Sequence, residues 1–221
     1  MRTITLMILA AALTSGCSVI PQSAAPRKAA VARSTVMLPS SPAAQACLAD
    51  LGSKHANFTP LPDQYYGAGC SAVNAVRLSQ LKSDHATLVM SNLGPVTCNL
   101  ADTFAGWARF GVDRAAQQIL GSSLVKIETL GSYNCRNVAG SEHRSAHASA
   151  NAIDVSGFVL ADGRRITVAG NWADKSPQLQ RFFSAIRTSA CKRFGMVLSP
   201  DYNAAHRDHL HLQVGGRTVC R

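Results

Sequence analysis

In His209-Leu210-His211-Leu212-Gln213-Val214 polar and apolar residues alternate without a break. A strand turns successive side chains to opposite faces. This hexapeptide can therefore bury Leu210, Leu212 and Val214 only by placing His209 and His211 together on the other side. Ala152-Ile153-Asp154-Val155-Ser156 repeats the arrangement, with Ile153 and Val155 inward and Asp154 outward. Strands of this kind belong to a sheet with one buried and one polar face. They also free imidazole and carboxylate groups, the donors of an open, catalytic type of zinc site.

The 221 residues are enough for one domain and a tail. Phe104, Trp107, Ala108, Ala115, Ala116, Ile119 and Leu120 recur at helical spacing, which predicts a helix from Asp102, its candidate cap, to Leu120, with Gly121 as the stop. Leu124 to Leu130 reads as a strand. Ala152 to Leu160 and Arg165 to Val168 flank Asp162-Gly163, a hairpin-turn dipeptide. Ser176-Pro177 opens a second helix, Gln178 to Phe194, which Gly195 closes, and Met196 to Leu198 is a further strand. Helices and strands without a βαβ rhythm imply an α+β domain with a mainly antiparallel sheet and flanking helices.

The N-terminus reads as a targeting segment. Met1-Arg2 supplies charge, Ile4 to Leu13 is an apolar run too short to span a bilayer, and Leu13-Thr14-Ser15-Gly16-Cys17 resembles a bacterial lipobox. That resemblance implies cleavage before Cys17 and lipidation of its thiol and amine, hence a stable membrane anchor. From Ser18 to about Gln45 the chain is rich in Ala, Ser and Pro and reads as a flexible tether. The domain then occupies 46–221.

Of seven cysteines, Cys17 is set aside as the lipid site. The remaining six are Cys47, Cys70, Cys98, Cys135, Cys191 and Cys220, and none forms a CxxC pair. An even count in an exported chain predicts disulfides and an envelope location on the periplasmic side. Six cysteines allow fifteen pairings; the sequential one, 47–70, 98–135 and 191–220, is expected. Lys and Arg number 22 against 12 acidic residues, a net charge of +10 that favours anionic polymers or lipid head groups. No basic stripe interleaved with aromatics marks a nucleic-acid footprint, so none is expected as a partner.

His147 lies seven residues before Asp154, too far for one helix face and suited to a loop feeding a strand. The small residues Ala148, Ser149, Ala150, Asn151 and Ala152 between them let the backbone pass close to a metal. Trp107 and Trp172 read as core residues and His55 as a surface one. His143 could pair with His147 on a helix, but Glu142-His143 reverses the order of the His-Glu-x-x-His motif.

Ser145-x-His147-x-x-Ala150-x-Ala152-x-Asp154, followed by His209-x-His211, resembles the zinc D-alanyl-D-alanine carboxypeptidases, murein endopeptidases and hedgehog-type folds. More closely, the region from Cys47 onward resembles the extensin-like C-terminal domain family. The matching residues are Gly69-Cys70, Trp107, Gly131-Ser132-Tyr133-Asn134-Cys135-Arg136, Ala152-Ile153-Asp154, Trp172, Ala190-Cys191-x-x-Phe194 and His206-x-Asp208-His209-x-His211. The family label implies no plant-wall role.

The superfamily resemblance implies a disulfide-stapled DD-peptidase-like fold with zinc held by His147, Asp154 and His211. It makes Ser145 a hydrogen-bonding neighbour of the site and Arg136 a group for a substrate carbonyl or carboxylate. Asp208, where related carboxypeptidases carry a glutamate, or one of His206 and His209, would serve as the base; Arg136 or His209 would stabilise the oxyanion. Ala150 replaces the usual glycine, so a positive φ there would be strained. The implied activity is zinc-dependent hydrolysis of peptidoglycan stem peptides or cross-links. The alternative is a non-catalytic envelope module with a degenerate metal site; the protein partner is left open.

Overall fold

The computed structural model describes residues 41–221. The targeting segment, Cys17 and nearly all of the tether fall outside the described residues. Helix α1 (Pro42–Ser53), capped by Ser41, begins inside the stretch read as tether. Twelve strands follow among the described residues: β1 (Asn57–Pro60), β2 (Gln64–Gly67), β3 (Cys70–Ala72), β4 (Ala75–Lys82), β5 (Thr87–Ser91), β6 (Val96–Thr97), β7 (Leu124–Gly131), β8 (Ala152–Leu160), β9 (Arg165–Thr167), β10 (Met196–Leu198), β11 (Leu210–Gln213) and β12 (Val219–Cys220). The other helices are α2 (Cys98–Trp107), the single turn α3 (Val168–Asn171) and α4 (Pro177–Cys191).

Ten strands form one sheet, in the order β1-β4-β5-β7-β8-β11-β10-β12, with β6 on β4 and β9 on β8; β2 and β3 pair separately. Most contacts are antiparallel, as the alternation implies. β5 and β7 are parallel, with α2 crossing between them. Parallel neighbours need such a crossover, so the described residues contain a βαβ unit that the overall rhythm does not announce.

α2 starts four residues before the expected boundary. Thr97 caps it, accepting from the Leu100 amide at 3.4 Å, while Asp102 lies within the helix and pairs with Lys54. The helix runs on through π-type segments Ala108–Asp113 and Ala116–Leu120 to Gly121, whose φ of +73° ends it. Trp107, Phe104, Phe158, Phe182 and Phe194 pack edge to face or tilted between α2, α4 and the sheet. Trp107 donates from Nε1 to the Ile186 carbonyl at 2.9 Å, so this buried indole is satisfied core. Trp172 is partly buried against Phe183 and donates to Asp201.

On β8, Ile153 and Val155 are buried, yet so are Phe158 and Leu160. A strict period of two would expose the second pair. A bulge restores them: Glu128 pairs with Gly157 and Thr129 with Val155, leaving Ser156 extra. A Cβ at Gly157 would lie 3.0 Å from the Ile166 carbonyl oxygen, so glycine admits the close β9 neighbour.

The disulfides are Cys47–Cys98, Cys70–Cys135 and Cys191–Cys220. The sequential expectation holds for the last pair and fails for the first two. Cys47 on α1 meets the start of α2, and β3 is tied to the loop after β7. Both bridges join elements that neighbour in space but not in sequence.

Candidate metal centre

β8 and β11 are antiparallel partners, with Asp154 opposite His211, Leu210 opposite Val155 and Leu212 opposite Ile153. The two alternating segments thus share a core face and a polar face. His147 comes from a 3-10 turn, Ala146–Ser149, that leads into β8. Ser145, itself buried, caps this turn by accepting the His147 amide at 3.4 Å, so it shapes the site rather than lining it. Ala150 closes the turn at φ +55° and ψ +25°. For an L-residue this left-handed conformation costs about 1–2 kcal/mol. It is held in place by the Ala150 carbonyl, which accepts from the Thr97 amide at 2.9 Å.

His147, Asp154 and His211 each present a donor atom within 4.8 Å of the others. His147 Nε2 is 3.2 Å from His211 Nδ1 and 3.2 Å from Asp154 Oδ2; His211 Nδ1 is 3.0 Å from Asp154 Oδ1. The opposite ring atoms are engaged elsewhere. His147 Nδ1–H donates to the Ser132 carbonyl and His211 Nε2–H to Gln213 Oε1 at 3.3 Å. Those acceptors give each ring's proton a place away from the triad, so a bound cation would meet His147 Nε2 and His211 Nδ1 as lone pairs. Burial pushes the Asp154 carboxyl upward, but the ring nitrogens of His147 and His211 outweigh it and hold it well below the ordinary carboxylate range. Two imidazole nitrogens and an anion therefore converge in a buried position, which is costly unless protons or a cation lie among them.

The donor set fits zinc in chemistry and in size. Four ligands at 2.0–2.1 Å would stand about 3.3 Å apart along a tetrahedron's edges, close to the 3.0–3.2 Å separations here.

His209 stands beside this triad. Its Nδ1–H donates to Asp208 Oδ1 at 2.8 Å, and its Nε2 is 3.6 Å from Asp154 Oδ1. Asp208 thus reaches the site through His209; the ring beside it holds its carboxyl below the usual range. His206 forms the next part of the rim, its ring 5.2 Å from that of His209 and 6.0 Å from that of His211. Its Nδ1–H donates to Asn203 Oδ1 at 2.7 Å. Burial, then the neighbouring His209 and His211, push its pKa down to about 4. Arg136 is exposed on the loop after β7, near enough for its charge to be felt at His206. That loop is tied down by Cys70–Cys135 and by Ser145 N–H donating to the Arg136 carbonyl at 3.1 Å.

His143 and His55 are exposed and stand apart from the triad. Sequence reasoning missed Ser132 and Gln213. Ser132 acts through its backbone, which no side-chain pattern reveals. Gln213 was legible in principle, because it follows His211 by two residues on the same strand face.

The sequence from residue 45 onward falls in a recognised family. The model described as "Extensin-like protein C-terminus" matches residues 45–221. The chain is a member of that extensin-like C-terminal family. No curated protein and no solved structure matches it.

Proposed function

We propose that this domain is a zinc-dependent peptidase acting on peptidoglycan stem peptides or cross-links, related to the DD-peptidase and hedgehog-type superfamily. The observation that carries the reading is the convergence of two imidazole nitrogens and a carboxylate at spacings that suit a tetrahedral ion. His147, Asp154 and His211 would hold the ion. Bound there, zinc supplies a Lewis acid that activates water and polarises an amide carbonyl.

The chain's other residues account for proton movement and binding. His209 keeps its proton on Nδ1, toward Asp208, so Nε2 is free to take a proton from the attacking water. The Asp208 carboxylate stabilises the resulting imidazolium, and His209 then delivers the proton to the leaving amine. This assigns the base to His209 and makes Asp208 its orienting partner. Arg136, exposed on the rim, is suited to a substrate carboxylate or carbonyl.

Three disulfides suit an oxidising compartment, and the net charge of +10 suits an anionic wall polymer. We place the protein on the periplasmic side of a bacterial envelope, lipid-anchored through Cys17; Cys17→Ser would then leave the membrane fraction. The test of function is incubation of the purified protein with muropeptides, with and without chelator. Chelator-sensitive release of a peptide or amino acid is expected. Stoichiometric zinc without turnover would instead mark a non-catalytic wall-binding module.

A further inference from the structure

The two histidines of the triad are fixed by different devices. His147 donates to a main-chain carbonyl, that of Ser132, which no side-chain substitution removes. His211 donates to a side chain, Gln213 Oε1, at 3.3 Å. Both His211 and Gln213 lie on β11, two residues apart and therefore on one face, and Gln213 is itself pinned by pairing with Ala152 on β8 and Met196 on β10. Gly216 approaches the other end of the same amide: a Cβ there would sit 3.2 Å from Gln213 Nε2.

We infer that Gln213 is a positioning residue that sets the tautomer of His211 and so keeps its Nδ1 available as a metal donor. The inference rests on the zinc reading above. An imidazole has one proton to place when neutral. On Nδ1 that proton would point at Asp154 Oδ1, 3.0 Å away, and close the donor position. The Gln213 carbonyl gives it a competing place on Nε2. Without that acceptor the Asp154 carboxylate is the partner left to the proton, and metal binding must displace the proton with no hydrogen-bonded place on the ring to receive it. Partners of this outer kind change metal affinity by about 10–100-fold.

The test uses full-length protein stripped of metal and titrated with zinc against a chromophoric chelator. Gln213→Leu, close in size but without an acceptor, should weaken zinc binding by about 10–100-fold. Gln213→Glu, which keeps the acceptor, should restore it to within a few-fold of the wild type. In the zinc-loaded wild type, the His211 Nε2 proton should be protected from exchange in ¹⁵N-resolved NMR spectra, and Gln213→Leu should expose it. Thermal unfolding of the metal-free variants controls for damage to the strand. Equal zinc affinity in wild type and Gln213→Leu, or a weakened Gln213→Glu that matches Gln213→Leu, overturns the role of Gln213 alone. Failure of the wild type to bind zinc overturns the metal site itself.

Discussion

Asp154 and His211 face each other directly across β8 and β11, with His211 Nδ1 3.0 Å from Asp154 Oδ1. The contact follows from register. Shifting β8 by one residue would turn Ile153 and Val155 out of the core, and shifting β11 would turn out Leu210 and Leu212. The hydrophobic pattern that builds the sheet therefore also aligns two of the three candidate donors, and the turn carrying His147 adds the third.

The arrangement of His209 and Asp208 separates proton transfer from metal binding. His209→Ala should lower turnover of muropeptides by about 10²–10⁴, the usual worth of a general base, and should retain zinc. Asp208→Ala should cost less, because His209 remains, and should also retain zinc. A variant pair in which Asp208→Ala is dead and His209→Ala is active would return the base to the carboxylate.

His206 provides a pH signature. Its folded pKa of about 4 lies below the unfolded value of about 6.5. The unfolded chain binds the proton more readily, so His206 contributes stability fully above about pH 6.5 and loses it as pH falls toward 4. In metal-free protein, ring C–H shifts should show His206 neutral through pH 5–8. Denaturant unfolding of His206→Gln should lose less stability than the wild type between pH 6.5 and 4. A His206 midpoint near 6.5 would contradict this.

Non-reducing peptide mapping should recover Cys47–Cys98, Cys70–Cys135 and Cys191–Cys220. The double variant Cys70→Ser/Cys135→Ser should cost about 2–5 kcal/mol in unfolding. Because this bridge holds the loop that carries Arg136 and Ser132, it should also raise KM. Recovery of Cys47 linked to Cys70 would refute the connectivity.

The polar face was legible where period-two alternation was clean, at Ala152–Ser156 and His209–Val214. The four strands that build the other half of the sheet, β1, β4, β5 and β6, were much less so. In β4, Ser79 and Gln80 are both exposed because the register with β1 shifts near Asn57, so Leu78 and Leu81 are buried three apart. That spacing breaks the period of two and matches the i, i+3 step of a helix, so it hides the strand. The first turn of α2, Cys98-Asn99-Leu100-Ala101, was missed because its cap, Thr97, is also the last residue of β6. Disulfide pairing depended on tertiary neighbours, and only Cys191–Cys220, joining α4 to the β12 strand beside its own β10, followed sequence order. The left-handed position at Ala150 was readable because the family pattern it matches carries glycine there.

Zinc content tests the central claim most directly. Metal-free wild type and its His147→Ala, Asp154→Ala, His211→Ala and His209→Ala variants would be titrated with zinc, desalted, and analysed by mass spectrometry of the metal. The account predicts one zinc per chain in the wild type and in His209→Ala, and none retained by any of the three triad variants. A wild type that retains no zinc, or triad variants that retain as much as the wild type, would contradict it.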